Sequence, residues 1–79
     1  MTRNQRKHQL FYADLGGLIR TRRNRLNMSQ ADLAERIGLT RPSVVNIEFG
    51  NHGSVSVHVL CAIADALCIP VHRLIPKGR

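Results

Sequence analysis

The chain has 79 residues, with 12 Lys and Arg against 5 Asp and Glu, so its formal charge is +7. That length excludes two ordinary domains and leaves a single hydrophobic core near the minimum that suffices. Hydrophobic residues at 43% exclude a disordered or collagen-like chain. With no Trp and 4% aromatics, the core has to come from Leu, Ile, Val and Ala.

The longest unbroken apolar run, Val59 to Ala64, is far shorter than the roughly 18 residues a membrane span needs. The N-terminus MTRNQRKHQ is charged, with no apolar stretch or cleavage site behind it. We therefore expect no signal peptide, no membrane association and a cytoplasmic protein. Two cysteines, Cys61 and Cys68, are too few for a disulfide framework, and both are expected as buried thiols. The charge is uneven. Residues 1–25 hold seven basic residues against Asp14 alone, a net +6, and the rest of the chain nets +1. Such an excess points to a polyanionic partner, nucleic acid or an anionic surface, or else to a merely solvated face.

Residues 1–9 are polar and basic without apolar period and are expected as a flexible arm. The domain is expected over 10–76, with a basic tail at 77–79. From about Leu10, apolar positions at Leu15, Leu18, Ile19, the Arg22 stem and Leu26 follow helical spacing. Gly16-Gly17 interrupts that pattern. Asn27, which tolerates a left-handed backbone, ends the first helix. Ser29 then caps a short second helix with Leu33, Ala34 and Ile37 inward, stopped by Gly38. Thr40 caps a third helix with Pro42 in its first turn, Val44 and Ile47 inward, and Gly50 as its stop. After the loop Asn51 to Val55, Ser56 caps a fourth helix burying Val59, Leu60, Ile63, Ala64 and Leu67. Pro70 opens a last short helical turn with Val71, Leu74 and Ile75 apolar. The fold class is all-α, a compact five-helix bundle.

The turn Gly38-Leu39-Thr40 is too short to fold two helices back antiparallel, so it sets them at a steep angle, as in a helix-turn-helix. Gln30 to Phe49, QADLAERIGLTRPSVVNIEF, fits that unit throughout. Ala34 is small where the helices cross, and Gly38 supplies the positive φ of the turn. A recognition helix offers its N-terminal side chains to base edges in the major groove. With Val44 and Ile47 facing in, the outward residues are Arg41, Pro42, Val45 and Asn46, with Ser43 at the margin. Arg41 suits guanine O6 and N7, Asn46 suits adenine N6 and N7, and Val45 and Pro42 suit a thymine methyl. Arg41 also fits a phosphate clamp, and Asn46 a local hydrogen bond. Thr40 belongs to the same DNA-binding set, and Arg20, Ser29 and Asn51 are backbone-phosphate candidates. Arg3, Arg6 and Lys7 suit a minor groove or the backbone, or else a dimer contact.

Here the chain resembles the Cro and lambdoid-repressor type of helix-turn-helix domain, the XRE family. The likeness runs from Leu15 to Ile75 and rests on Arg23, SQADLAERIGL, SVVNIEFG and LCAIADALCIPVHRLI. It implies a compact five-helix domain that binds operator DNA as a dimer and controls transcription. It implies that Gln30 binds phosphate and braces the recognition helix. It also implies that Arg23 and Glu48 form a structural ion pair. No catalytic residue, metal ligand or cofactor is implied. Phe49 stands where the family has a small or polar residue, Cys68 replaces a helix-ending Gly, and Asn51-His52-Gly53-Ser54 lacks basic residues.

A monomer of this length has a radius of gyration of about 12 Å, whereas half-sites recur about 34 Å apart. A homodimer on a pseudo-palindromic operator is therefore expected. Its candidate surface is the C-terminal helices, with Val57, His72, Leu74 and Ile75. A repressor is the first reading. An antitoxin or a restriction-modification controller that autoregulates its operon, or a non-enzymatic protein-interaction module, are the alternatives. An enzyme is not expected, because 79 residues seldom enclose a sizeable pocket. A zinc site from His58, Cys61, Cys68 and His72 is weighed and set aside for lack of a CxxC pair.

Overall fold

The computed structural model of the chain describes residues 3–51 and 55–77. It contains α1 (Arg3–Arg25), α2 (Gln30–Ile37), α3 (Arg41–Glu48), α4 (Val57–Ala66) and a 3-10 turn (Val71–Leu74). Residues 52–54 of the loop, the first two residues of the expected arm and the last two of the tail lie outside the described residues.

Among the described residues there are four α-helices and not five. Pro70 opens the final segment, and Ile75, which precedes Pro76, has ψ 116. A residue before proline is driven out of the helical region, so the turn closes after four residues. The first helix also begins at Arg3, and not near Leu10. Arg, Gln, Lys and Leu are good helix formers, and nothing before Tyr12 breaks a helix that the core already nucleates. Nor does Gly16-Gly17 interrupt it.

Each helix ends in the same way. Asn27, Gly38, Gly50 and Cys68 all have positive φ, at 54, 74, 74 and 58°. Behind each, the next N–H reaches five residues back: Met28 to Arg23, Leu39 to Ala34, Asn51 to Asn46 and Ile69 to Ala64. This left-handed closure satisfies carbonyls that would otherwise be orphaned. At the other ends, Ser29, Thr40 and Ser56 each accept a hydrogen bond from a first-turn N–H.

The core gathers Leu15, Ile19, Met28, Leu33, Ala34, Val44, Ile47, Leu60, Ile63, Ala64, Leu67 and Leu74. Leu18 and Leu26, expected inward, are exposed, and so are Val71 and the dimer-surface candidate Ile75. On α1 the buried line is instead Leu15, Gly16, Ile19 and Arg23. Cys61 and Cys68 are exposed free thiols, a second departure from expectation. Cys61 lies on the side of α4 that exposed His58 and Asp65 mark, three and four residues away from it. Leu74 is fully buried; it belongs to the core and is removed from the candidate dimer surface.

Candidate nucleic-acid interface

The site is built where α2 begins and α3 presents its outer side. Ser29 and Asp32 form a reciprocal cap: Ser29 Oγ accepts from Asp32 N at 2.9 Å, and Asp32 Oδ2 accepts from Ser29 N at 3.0 Å. The backbone and hydroxyl bonds from Ser29 hold the Asp32 carboxyl below its ordinary range, and nearby Arg36 adds to the effect. At the start of α3, Thr40 Oγ1 accepts from Ser43 N at 3.3 Å and lies 3.0 Å from Ser43 Oγ. Pro42 occupies the first turn, where its missing N–H leaves no bond unmade.

Val44, Ile47 and Glu48 are buried and fix the rotation of α3. Thr40, Arg41, Pro42 and Asn46 are then exposed, and Ser43 and Val45 half-buried. Gln30, also half-buried, lies beside them: its Oε1 accepts from Arg41 Nη2 at 3.4 Å, and its Nε2 donates to Glu48 Oε1 at 3.2 Å. The structure thus brings Gln30 and Arg41 together. Ser29, Arg20 and Asn51 are exposed too, and the Asn51 N–H is committed to the Asn46 carbonyl at 2.8 Å. Phe49 is 61% exposed, beside the end of α3.

Below this surface, Arg23 and Glu48 form a buried ion pair, with Nε to Oε2 at 2.7 Å and Nη2 to Oε1 at 3.0 Å. Arg23 Nη1 also donates to the Met28 carbonyl at 2.7 Å. One arginine therefore ties α1 to the end of α3 and to the entry of α2. The Met28 carbonyl was invisible to sequence reasoning, because a main-chain acceptor leaves no mark in residue identity. Gly16 was also missed. A Cβ there would lie 2.6 Å from the Ile47 carbonyl oxygen, so α1 meets the last turn of α3 backbone to backbone. Arg22 Nε closes the far end of the core by donating to the Leu67 carbonyl at 3.1 Å.

A helix-turn-helix family model matches residues 19–73, a span that contains α2, α3, α4 and the ion pair. The chain belongs to this helix-turn-helix family. It is a DNA-binding domain of the Cro and lambdoid-repressor type. Among solved structures, the domain resembles the restriction-modification controller protein C.AhdI from Aeromonas hydrophila, at 31% identity and TM-score 0.77. That match covers 81% of this chain and 96% of the controller. It also resembles hydroxypropylphosphonic acid epoxidase from S. wedmorenis, at 28% identity and TM-score 0.80, over 86% of this chain. A substrate complex of the iron(II) form of HppE gives 28% identity and TM-score 0.80. The helix-turn-helix chain spans 36% and 39% of the chains in those two structures. No curated protein matches. Among the described residues, no group of three or more His, Cys, Asp or Glu is placed to hold a metal, and no helix is long and apolar enough to cross a membrane.

Proposed function

We propose that this protein is a sequence-specific transcriptional regulator, a repressor, that lays α3 in the major groove of a pseudo-palindromic operator. The observation that carries the reading is the outer side of α3. Arg41 and Asn46, two side chains able to pair bidentately with bases, are exposed there beside Gln30. Val44, Ile47 and Glu48 hold the opposite side in the core. In this reading Arg41 and Asn46 read base edges, and Pro42 and Val45 touch apolar groups. Thr40, Ser43 and Gln30 meet the backbone at the groove edge, with Ser29 and Asn51 as further phosphate contacts.

The active form is a homodimer, since a radius of gyration of 12.1 Å is too small for one copy to span half-sites about 34 Å apart. Val57, at 75% exposure, together with His72 and Ile75, supports pairing through the C-terminal helices. The role is regulatory, not enzymatic, and cytoplasmic. A second reading, a controller of restriction-modification genes, is favoured by the match that covers 96% of C.AhdI.

The test is selection from a randomised duplex library at two salt concentrations. The expected result is a dyad-symmetric site with half-sites about one turn apart. Arg41→Ala should weaken that site by about 1–3 kcal/mol and relax one base position. Steeply salt-dependent binding with no enriched sequence would overturn the specific-regulator reading. Equal losses on the selected site and on random DNA would make Arg41 a phosphate clamp.

A further inference from the structure

The basic excess of the chain does not lie on its recognition unit. Residues 29–55 hold Arg36 and Arg41 against Asp32, Glu35 and Glu48, a net −1. All seven basic residues of the first 25 lie on α1, with Asp14 as its one acid. Arg23 is committed to Glu48 and Arg22 to the Leu67 carbonyl. Arg25 is exposed in the last turn, and upstream of it so are Arg6 and Arg20.

Arg6 and Arg20 share a line on the helix. Seven residues fall about 20° short of two full turns, so Arg6, Ala13 and Arg20 form one stripe about 21 Å long. Ala13 is where the chain leaving α3 rests. A Cβ on Gly50 would lie 2.9 Å from Ala13 N, and one on Gly16 would lie 2.6 Å from the Ile47 carbonyl oxygen. The end of α3 is therefore seated on α1 between Ala13 and Gly16, with Arg6 and Arg20 along the helix on either side. With the N-terminal residues of α3 at base edges, its C-terminal end leaves the groove at the rim, beside a phosphate strand. The stripe adjoins that rim. Before Tyr12, the described side chains Arg6, Gln9, Leu10 and Phe11 are all exposed. The helix backbone runs on for about 13 Å before Tyr12.

We propose that α1 is a phosphate rail for double-stranded DNA. Arg20 grips the backbone next to the recognition helix, and Arg6 grips it outside the half-site that α3 reads. The rail rests on the reading that α3 enters the major groove. It supplies the attraction that the net-negative recognition unit lacks, because affinity for DNA rises with each phosphate neutralised.

The experiment measures binding of the full chain against salt, on the site recovered from the library with about one further turn of duplex at each end. Each change removes one contact per protomer, so on the dyad site Arg6→Gln and Arg20→Gln should each lower the log–log salt slope of the bound homodimer by about 1.8, and the double variant by about 3.6. Base preference should be retained. Arg6→Lys should restore the slope. Trimming the flanks should erase the Arg6 effect and leave that of Arg20. An Arg6→Gln protein with unchanged melting and an unchanged slope overturns the rail, provided Arg41→Ala still relaxes base preference. If Arg41→Ala leaves preference untouched, the groove reading falls and the rail with it.

Discussion

The guanidinium of Arg23 meets both carboxylate oxygens of Glu48, at 2.7 and 3.0 Å, with the two residues only 8% and 2% exposed. Charges this deep are expensive to desolvate, and removing one partner strands the other. Glu48→Ala or Arg23→Ala should each cost about 3–5 kcal/mol, read by urea unfolding. The double change Arg23→Met with Glu48→Leu should cost less than either single change, since no buried charge is left unpaired. Equal or additive losses would show that the pair is not the source of the effect.

The adjacent glycines of α1 should respond in opposite directions. A methyl at Gly17 meets nothing within 4 Å, so Gly17→Ala should add about 1 kcal/mol from helix propensity alone. At Gly16 the methyl would run into the Ile47 and Glu48 backbone, and overpacking of this kind costs about 1–3 kcal/mol. Thermal unfolding of the two variants gives the sign. Stabilisation by Gly16→Ala would contradict the close seat of α3 on α1.

Cys68 closes α4 at φ 58, the position that Asn27, Gly38 and Gly50 occupy in the other helices. A left-handed backbone costs a residue with a Cβ about 1–2 kcal/mol, and glycine gives back part of that through its freer unfolded state. The thiol is exposed, so no burial is lost. Cys68→Gly should therefore stabilise by about 0.5–1 kcal/mol, while Cys68→Val should destabilise. The same melting experiment decides both.

What the sequence shows and what it hides differ by range. Ser29, Thr40 and Ser56 announce helix starts because capping uses a side chain and an N–H two or three residues away. Gly38 and Asn27 announce stops for the same local reason. Cys68 stands out against its resemblance to the family, and its positive φ is the physical content of that departure. On α4 the polar residues His58 and Asp65, seven apart, mark the outside, and Cys61 lies between them on that side; the apolar character of the thiol masked what the spacing shows. Leu74 stands on a four-residue turn, where there is too little period to read. Gly16 is hidden differently: its need for a missing Cβ comes from Ile47 and Glu48, about thirty positions on. At the candidate interface, Val44 and Ile47 suffice to turn Arg41 and Asn46 outward. The contact between Gln30 and Arg41 needed the fold.

Asp32 gives α2 a pH-dependent start. Its carboxyl is held below its ordinary value of 3.8, chiefly by the Ser29 backbone bond. A lowered pKa contributes stability that is fully present above the unfolded value and lost as pH falls through the folded one. The melting difference between the protein and Asp32→Asn should therefore be constant from neutral pH down to about 5. It should shrink in more acid solution, where the wild-type carboxyl takes up its proton. A difference that grew on acidification would reverse the assigned sign.

Gln30 joins the buried pair to the recognition surface. Its Nε2 donates to Glu48 and its Oε1 accepts from Arg41, so a chain of polar contacts runs from the Met28 carbonyl through Arg23, Glu48 and Gln30 to Arg41. The amide nitrogen has a second hydrogen available for a phosphate. Gln30→Ala should leave stability nearly unchanged, because the residue is half-buried and Glu48 keeps Arg23. It should weaken binding to selected and random duplexes alike, by about 1–2 kcal/mol. Gln30→Glu should be worse, since it sets a carboxylate beside Glu48 and opposite the phosphates. The discriminating measurement is a double-mutant cycle with Arg41→Ala on the selected duplex. A coupling of about 0.5 kcal/mol or more means that Gln30 positions Arg41 for its base. Strict additivity means that the 3.4 Å contact leaves Arg41 to find the groove unaided, and that Gln30 acts on the phosphate alone.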